Sequence, residues 1–180
     1  SATGVAKNKA IYKESVTVCA GLLWHQLIRD NATLGIKSKI TNFIPSSGES
    51  VEVMLVELTN TTKNEMAIEA YAATPLYARS ADNLRDHRHV TSLLHRIELK
   101  KHGIIVTPTM TFDERGHHIN KLTYAILGFE AKGQAPERFY PTVESFIGEG
   151  GSFEIPKALF ENHTAKITNN KALQGKEAMG

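Results

Sequence analysis

Leu34-Gly35-Ile36-Lys37-Ser38-Lys39-Ile40-Thr41-Asn42-Phe43-Ile44, followed after Pro45-Ser46-Ser47-Gly48 by Val51-Glu52-Val53-Met54-Leu55-Val56-Glu57-Leu58, is the stretch that decides the fold class. In its first part Leu34, Ile36, Ile40 and Ile44 point one way and Lys37, Lys39 and Thr41 the other. That alternation predicts a strand with one wet and one buried face. The second part is apolar on both faces, with Val51, Val53 and Leu55 opposite Met54, Val56 and Leu58. A strand interior to a sheet reads this way.

Working outward, Val16 and Val18 alternate with polar or small neighbours, and Leu22, Trp24 and Ile28 share one face of a second run that ends at the turn signal Asp30-Asn31. Downstream, Asn60 to Asn64 reads as a turn, and Met66, Ile68, Ala70 and Ala72, with Glu69 and Tyr71 opposite, predict a strand closing a hairpin. Val90 to Leu99 fits both helical and extended spacing. Ile104 to Phe112 and Leu122 to Ala131 read as strands separated by the turn Asp113-Glu114-Arg115-Gly116. Near the end, Thr142 is a candidate N-cap for a short helix carrying Val143, Phe146 and Ile147, stopped by Gly148. Gly150-Gly151 and Pro156 bound an irregular piece ending in Ala158-Leu159-Phe160, and Thr168 to Lys176 reads as a loop with no final strand after it. About seven short strands separated by turn residues predict an antiparallel all-β sandwich.

Composition narrows the function classes. The 180 residues suffice for one domain with a real core. A net charge of +2, with basic and acidic residues interspersed, supplies no field for nucleic-acid binding. No apolar run approaches the roughly 20 residues that span a bilayer, so no membrane partner is expected. A lone cysteine, Cys19, excludes an internal disulfide framework and fits a reducing compartment, so a cytoplasmic location is expected. The opening Ser1-Ala2-Thr3-Gly4 lacks a methionine, and the chain reads as a fragment of a longer one. Residues 1–12 and 165–180 are expected to be poorly ordered or edge segments of a single domain spanning 1–180.

One stretch interrupts the strands. Between Thr74 and Ser92 the sequence concentrates Arg79, Asp82, Asn83, Arg85, Asp86, His87, Arg88 and His89, next to Tyr77. A polar loop on a rigid strand scaffold is where binding residues tend to sit, so these nine residues form the candidate ligand or interface site. Tyr77 is its stacking candidate for a flat sugar face, whereas Trp24, alternating with aliphatics, reads as core. Asp86-His87-x-His89 with Asp82 contains the atoms for a divalent metal, but the interleaved arginines disfavour a cation and no metal is expected. His87 or His89 with Asp86 or Glu69 is a possible acid–base pair. The competing reading has Arg79, Asp82, Arg85 and Asp86 pairing with one another to stitch the loop down. His117-His118 reads as two surface histidines pointing to opposite faces. Phosphate-binding and nucleophile-elbow motifs are absent from the sequence, and Gly148-Glu149-Gly150-Gly151 follows a helix rather than opening one.

Gly35-Ile36-Lys37-Ser38-Lys39-Ile40-Thr41-Asn42-Phe43-Ile44-Pro45, Val51 to Thr61, and Phe146-Ile147-Gly148-Glu149-Gly150-Gly151 with Pro156-Lys157-Ala158-Leu159 together resemble the N-terminal β-sandwich of the inverting sugar phosphorylases. These are cellobiose phosphorylase and its relatives, glycoside hydrolase family 94, formerly grouped with the glycosyltransferases. The resemblance runs from about Gly35 to Leu159, and the segment Arg79 to His89 looks closer to the β-1,2-glucan-acting and uncharacterised branches than to cellobiose phosphorylase itself. It implies a galactose mutarotase-like super-sandwich with one or two short helices, incomplete in this chain. In whole members a helical linker and an (α/α)-barrel follow, and that barrel carries the general-acid aspartate and the phosphate site. No catalytic residue therefore carries over, and the chain alone is expected not to be catalytic. No cofactor is implied, and inorganic phosphate is the parent enzyme's co-substrate. Implied partners are a β-glucan or oligosaccharide, the parent's helical barrel and a second copy in a homodimer. Two alternatives stand beside this one: a free-standing mutarotase-like sugar epimerase, and a carbohydrate-binding interaction module.

Overall fold

The computed structural model describes residues 14–78, 92–113, 116–160 and 173–180. The chain divides into two compact units, one within residues 1–69 and one within 70–180.

The first unit is a four-stranded antiparallel meander. Its strands are β1 (Glu14–Gly21), β2 (Trp24–Asn31), β3 (Ile36–Phe43) and β4 (Val53–Asn60), in that spatial order. Register places Val18, Leu27, Ile40 and Val56 in one cross-strand row, with Val16, Ile36, Met54 and Leu58 on the same face. The opposite face carries Ser15, Asp30, Lys37 and Thr59 in one row and Thr17, Ile28, Lys39 and Glu57 in the next. Ile36 and Ile40 do face away from Lys37, Lys39 and Thr41 as predicted, but the face they occupy is not buried: Val16, Val18, Met54, Val56 and Leu58 on it are exposed, and Ser38 is the buried residue of β3. β4 is apolar on both faces, but it is the outer strand in the order β1-β2-β3-β4 and not the interior strand that this pattern predicts.

Local chemistry shapes the turns. Asn31 is buried because its side chain accepts from the Leu34 N–H (3.0 Å), while the Gly35 N–H reaches the Asn31 carbonyl (2.8 Å). Gly35 has φ +67, and a Cβ there would stand 2.1 Å from Thr62 Cγ2, so only glycine fits. Asn60 closes β4: its Oδ1 accepts from the backbone and hydroxyl of Thr62 (2.8 and 2.7 Å), and its amide donates to the Asn64 carbonyl. That is the turn expected at Asn60 to Asn64.

The strand expected after it does not form. Residues 66–74 carry no strand, and the boundary between the units falls after Glu69. Alternating apolar residues make one face of a strand possible, but only a ladder partner makes it real. Leu22 likewise leaves the face assigned to it, because it sits with Leu23 in the two-residue turn between Gly21 and Trp24.

The second unit begins with β5 (Pro75–Leu76), then β6 (His95–Lys100), β7 (Gly103–Pro108), β8 (Met110–Asp113), β9 (Gly116–Ile119) and β10 (Tyr124–Leu127). A three-stranded antiparallel sheet runs in the order β10-β7-β6, and β8 and β9 form a separate hairpin. The ambiguous segment before Lys100 is thus extended over His95–Lys100, and the run Ile104 to Phe112 breaks between Pro108 and Met110 into two strands. Proline at that break cannot donate to a ladder. Ile97, Ile104 and Val106 are buried on one face of the sheet, packed with Ala78, Leu173 and Ala178. The other face presents Arg96, Glu98, Lys100 and Thr107.

Helix α1 (Val143–Ile147) is capped as the sequence predicts. Thr142 Oγ1 accepts from the Ser145 N–H (3.1 Å), Ser145 Oγ accepts from the Thr142 N–H (3.2 Å), and Gly148 follows at φ +70. Val143 and Phe146 pack with Ala158, on a 3₁₀ turn after Pro156, and with Met179. The glycines after α1 form a helix stop and a turn, Gly151 N–H to Gly148 O at 3.2 Å.

The chain end departs from the expected loop. Ala178–Met179 is strand β11, paired with β5, and Thr74 and Gly180 exchange both backbone hydrogen bonds beside it. Upstream, Gln174 bridges to Arg96, and the Glu177 carbonyl accepts from Val143. Leu173, Ala178 and Met179 are buried. The polar composition of the segment hid this role, because a two-residue strand is too short to show a period.

Candidate functional site

Of the nine candidate residues, Tyr77 is described. Arg79, Asp82, Asn83, Arg85, Asp86, His87, Arg88 and His89 lie outside the described residues. What the structure gives is the base from which that segment springs. Ala78 on one side and Ser92 on the other are both buried. Ala78 has φ +48, a left-handed conformation that costs a residue with a Cβ about 1 kcal/mol. Tyr77 and Ser92 line the same recess, together with Leu76, His95, Val143 and Glu177. Its free volume of about 10 Å³ has room for roughly one water.

His95 is the organising side chain of this base. It is 2% exposed, on the apolar face of β6. Its Nε2 lies 3.0 Å from the Tyr77 carbonyl oxygen and its Nδ1 3.2 Å from that of Lys176. A carbonyl oxygen only accepts, so each contact requires an N–H on the ring. The neutral ring satisfies one, and the imidazolium satisfies both. His95 thereby ties β6 to the strand end before the polar segment and to the C-terminal strap. The strap returns the tie, because the Gly175 N–H donates to the His95 carbonyl (3.1 Å).

The sequence reading missed His95. The signal was present: His95, Ile97 and Leu99 share one face at period two, and a histidine at the head of an apolar face must find polar partners once buried.

Other expected residues lie apart from this base in the sequence. Glu69 is exposed at the end of the first unit, so a pairing with His87 or His89 lies outside the described residues. His117 and His118 are consecutive in β9, and His118 is exposed. Trp24 is a correction: it is 42% exposed rather than core, in the end row Gly21-Trp24-Phe43-Val53 of a sheet with exposed apolar residues on both faces. Among the described residues no three His, Cys, Asp or Glu side chains are grouped to hold a metal ion. No described helix is long and apolar enough to cross a membrane.

The described residues are mostly antiparallel β structure, with a capped short helix running into a Pro-initiated turn, which is the all-β class the sequence predicts. Comparison with known families makes this specific. The glycosyl hydrolase 94 supersandwich domain matches residues 30–176, and the chain belongs to that family. Its fold is accordingly an all-β, antiparallel supersandwich. No curated protein matches the chain.

Proposed function

We propose that this chain is a supporting, non-catalytic sandwich domain of a carbohydrate-active enzyme of the cellobiose and β-glucan phosphorylase type. It helps to place carbohydrate and assembles with the helical catalytic barrel of its parent and with a second copy. The polar segment Arg79 to His89, rooted at Ala78 and Ser92, is the part assigned to ligand or subunit contact.

The observation that carries this reading is the apolar face of the first sheet. Val16, Val18, Met54, Val56 and Leu58 on that face are all exposed, Val18 by 67%. Burying a side chain of this size contributes about 1.5 kcal/mol or more, so a face with several of them is built to be covered. Family membership supports the carbohydrate side of the proposal.

The test has two arms. The chain incubated with β-glucosides and phosphate releases no glucose 1-phosphate; release would overturn the supporting role. An environment-sensitive apolar dye binds the chain, sedimentation shows it associating, and Val56→Asp reduces both several-fold while the circular dichroism stays that of a β protein. A monomer that ignores the dye would remove the reason for assigning an assembly face.

A further inference from the structure

His95 is buried, yet both of its ring nitrogens meet main-chain oxygens, Nε2 that of Tyr77 at 3.0 Å and Nδ1 that of Lys176 at 3.2 Å. Both separations lie within the range of N–H···O hydrogen bonds. A neutral imidazole carries one N–H and one lone pair, so one of the two contacts would set a lone pair against a carbonyl oxygen. Only the imidazolium donates to both. The observed geometry is that of the charged ring.

Two effects oppose each other at this position. Burial favours the neutral ring, and the pair of carbonyl acceptors favours the cation. The charged groups around the ring, among the described residues, are divided as well. On its own strand, the Arg96 guanidinium donates to the His95 carbonyl at 2.9 Å and disfavours a second cation. On the C-terminal strap, Glu177 lines the recess beside the ring and favours one. Lys176 is paired with Glu144 of α1 at 2.7 Å. Tyr77 adds a phenol after β5, while Ser92, Val143 and the cross-strand Pro108 bring no charge.

We propose that His95 is a proton-operated clasp joining β6 to Tyr77, after β5, and to the C-terminal strap. Protonated, it holds both main-chain oxygens. Neutral, it keeps the shorter bond, from Nε2–H to Tyr77, and lets go of Lys176. The strap is then held by the Gly175 N–H on the His95 carbonyl (3.1 Å), the Val143 N–H on the Glu177 carbonyl (2.9 Å) and the β11–β5 pair. It loosens around Lys176 and does not detach. Acid closes the clasp and rising pH opens it, because the groups it grips are acceptors alone. Tyr77 stands at the root of the Arg79 to His89 segment, so the closed clasp ties that root to the strap. The device rests on no part of the function proposed above.

Nitrogen-15 NMR of the histidine rings follows the charge and tautomer of His95 from about pH 5 to pH 8. Amide exchange is recorded at the same points and corrected for the pH dependence of the intrinsic rate. The ring is charged at the acid end and becomes the Nε2–H tautomer at the other. Through that change, protection falls about fivefold, the weight of one net hydrogen bond, at the Gly175 and Val143 amides, whose bonds flank Lys176 on the strap. Amides of β2 and β3 keep their protection. His95→Gln, neutral throughout, removes the pH dependence at both positions, and the wild-type titration decides alone if that variant does not fold. A ring that stays neutral over the whole range, protection that does not follow its charge, or a dependence that survives in His95→Gln would each overturn the clasp.

Discussion

His95 Nε2 stands 3.0 Å from the main-chain oxygen of Tyr77, while its Nδ1 reaches that of Lys176, so one buried ring spans two segments far apart in the chain. Replacing it with phenylalanine keeps the volume and leaves two carbonyl oxygens facing a ring edge. The expected loss is about 1 kcal/mol, the net contribution of the part-buried hydrogen bonds removed. Chemical denaturation measures it, and His95→Gln, which retains one donor group, recovers part. A phenylalanine variant as stable as the parent would show that both contacts are incidental.

Gly35 and Thr62 are in forced proximity. Gly35→Ala faces both a positive φ and a methyl carbon 2.1 Å from the new Cβ, and is expected to cost more than ~1 kcal/mol. Adding Thr62→Ser removes that methyl and leaves the φ strain. The double variant is therefore expected to lie between the single Gly35→Ala variant and the parent. Thermal melts of the four proteins close the cycle; strict additivity would show that the steric contact contributes nothing.

Thr142 caps α1 reciprocally with Ser145. Thr142→Ala removes the acceptor for the Ser145 N–H and should destabilise the second unit by about 1 kcal/mol. Because α1 packs against Ala158 and Met179, amide exchange should quicken at Val143 to Ile147 and at Met179 together. Exchange confined to the first turn of the helix would separate the cap from that packing.

In the turn after β3, the Ser47 hydroxyl donates to the Glu49 carboxylate and holds its pKa below the ordinary glutamate value, with the Glu49 backbone N–H adding to the effect. The folded-state pKa is the lower one. The stabilisation is therefore present above the unfolded-state pKa and is lost as pH falls through the folded one. Ser47→Ala should move the Glu49 titration upward, read by NMR at the side-chain carboxyl. An unchanged midpoint would remove the hydroxyl as the cause.

Much of the first unit was legible in the residues themselves. Ile36 and Ile40 against Lys37, Lys39 and Thr41 report a strand with two distinct faces, and Asn31, Asn60 and Gly35 mark the turns around it. Thr142 and Gly148 likewise bracket α1 as the reading expected. The misses share a cause. Met66 to Ala72 has a strand's alternation but no ladder partner, Ala178–Met179 has a partner but no length to alternate over, and Trp24 alternates with aliphatics yet stands exposed in the end row of its sheet. Each depends on which segment comes to lie beside it, and no local pattern encodes that.

The candidate site divides the same way. Its polar segment was conspicuous as a concentration of arginines, aspartates and histidines, because charge density is a local property of the chain. Its base was not, because His95 becomes a tie between Tyr77 and Lys176 only once β6, β5 and the C-terminal strap are brought together. The sequence alone determined strand periodicity, turn chemistry, the helix cap and the family, all set by neighbours a few residues apart. The tertiary structure decided which strands found partners, which face Trp24 occupies and what His95 holds, because hydrogen-bond pairing and burial are settled between residues distant in the chain.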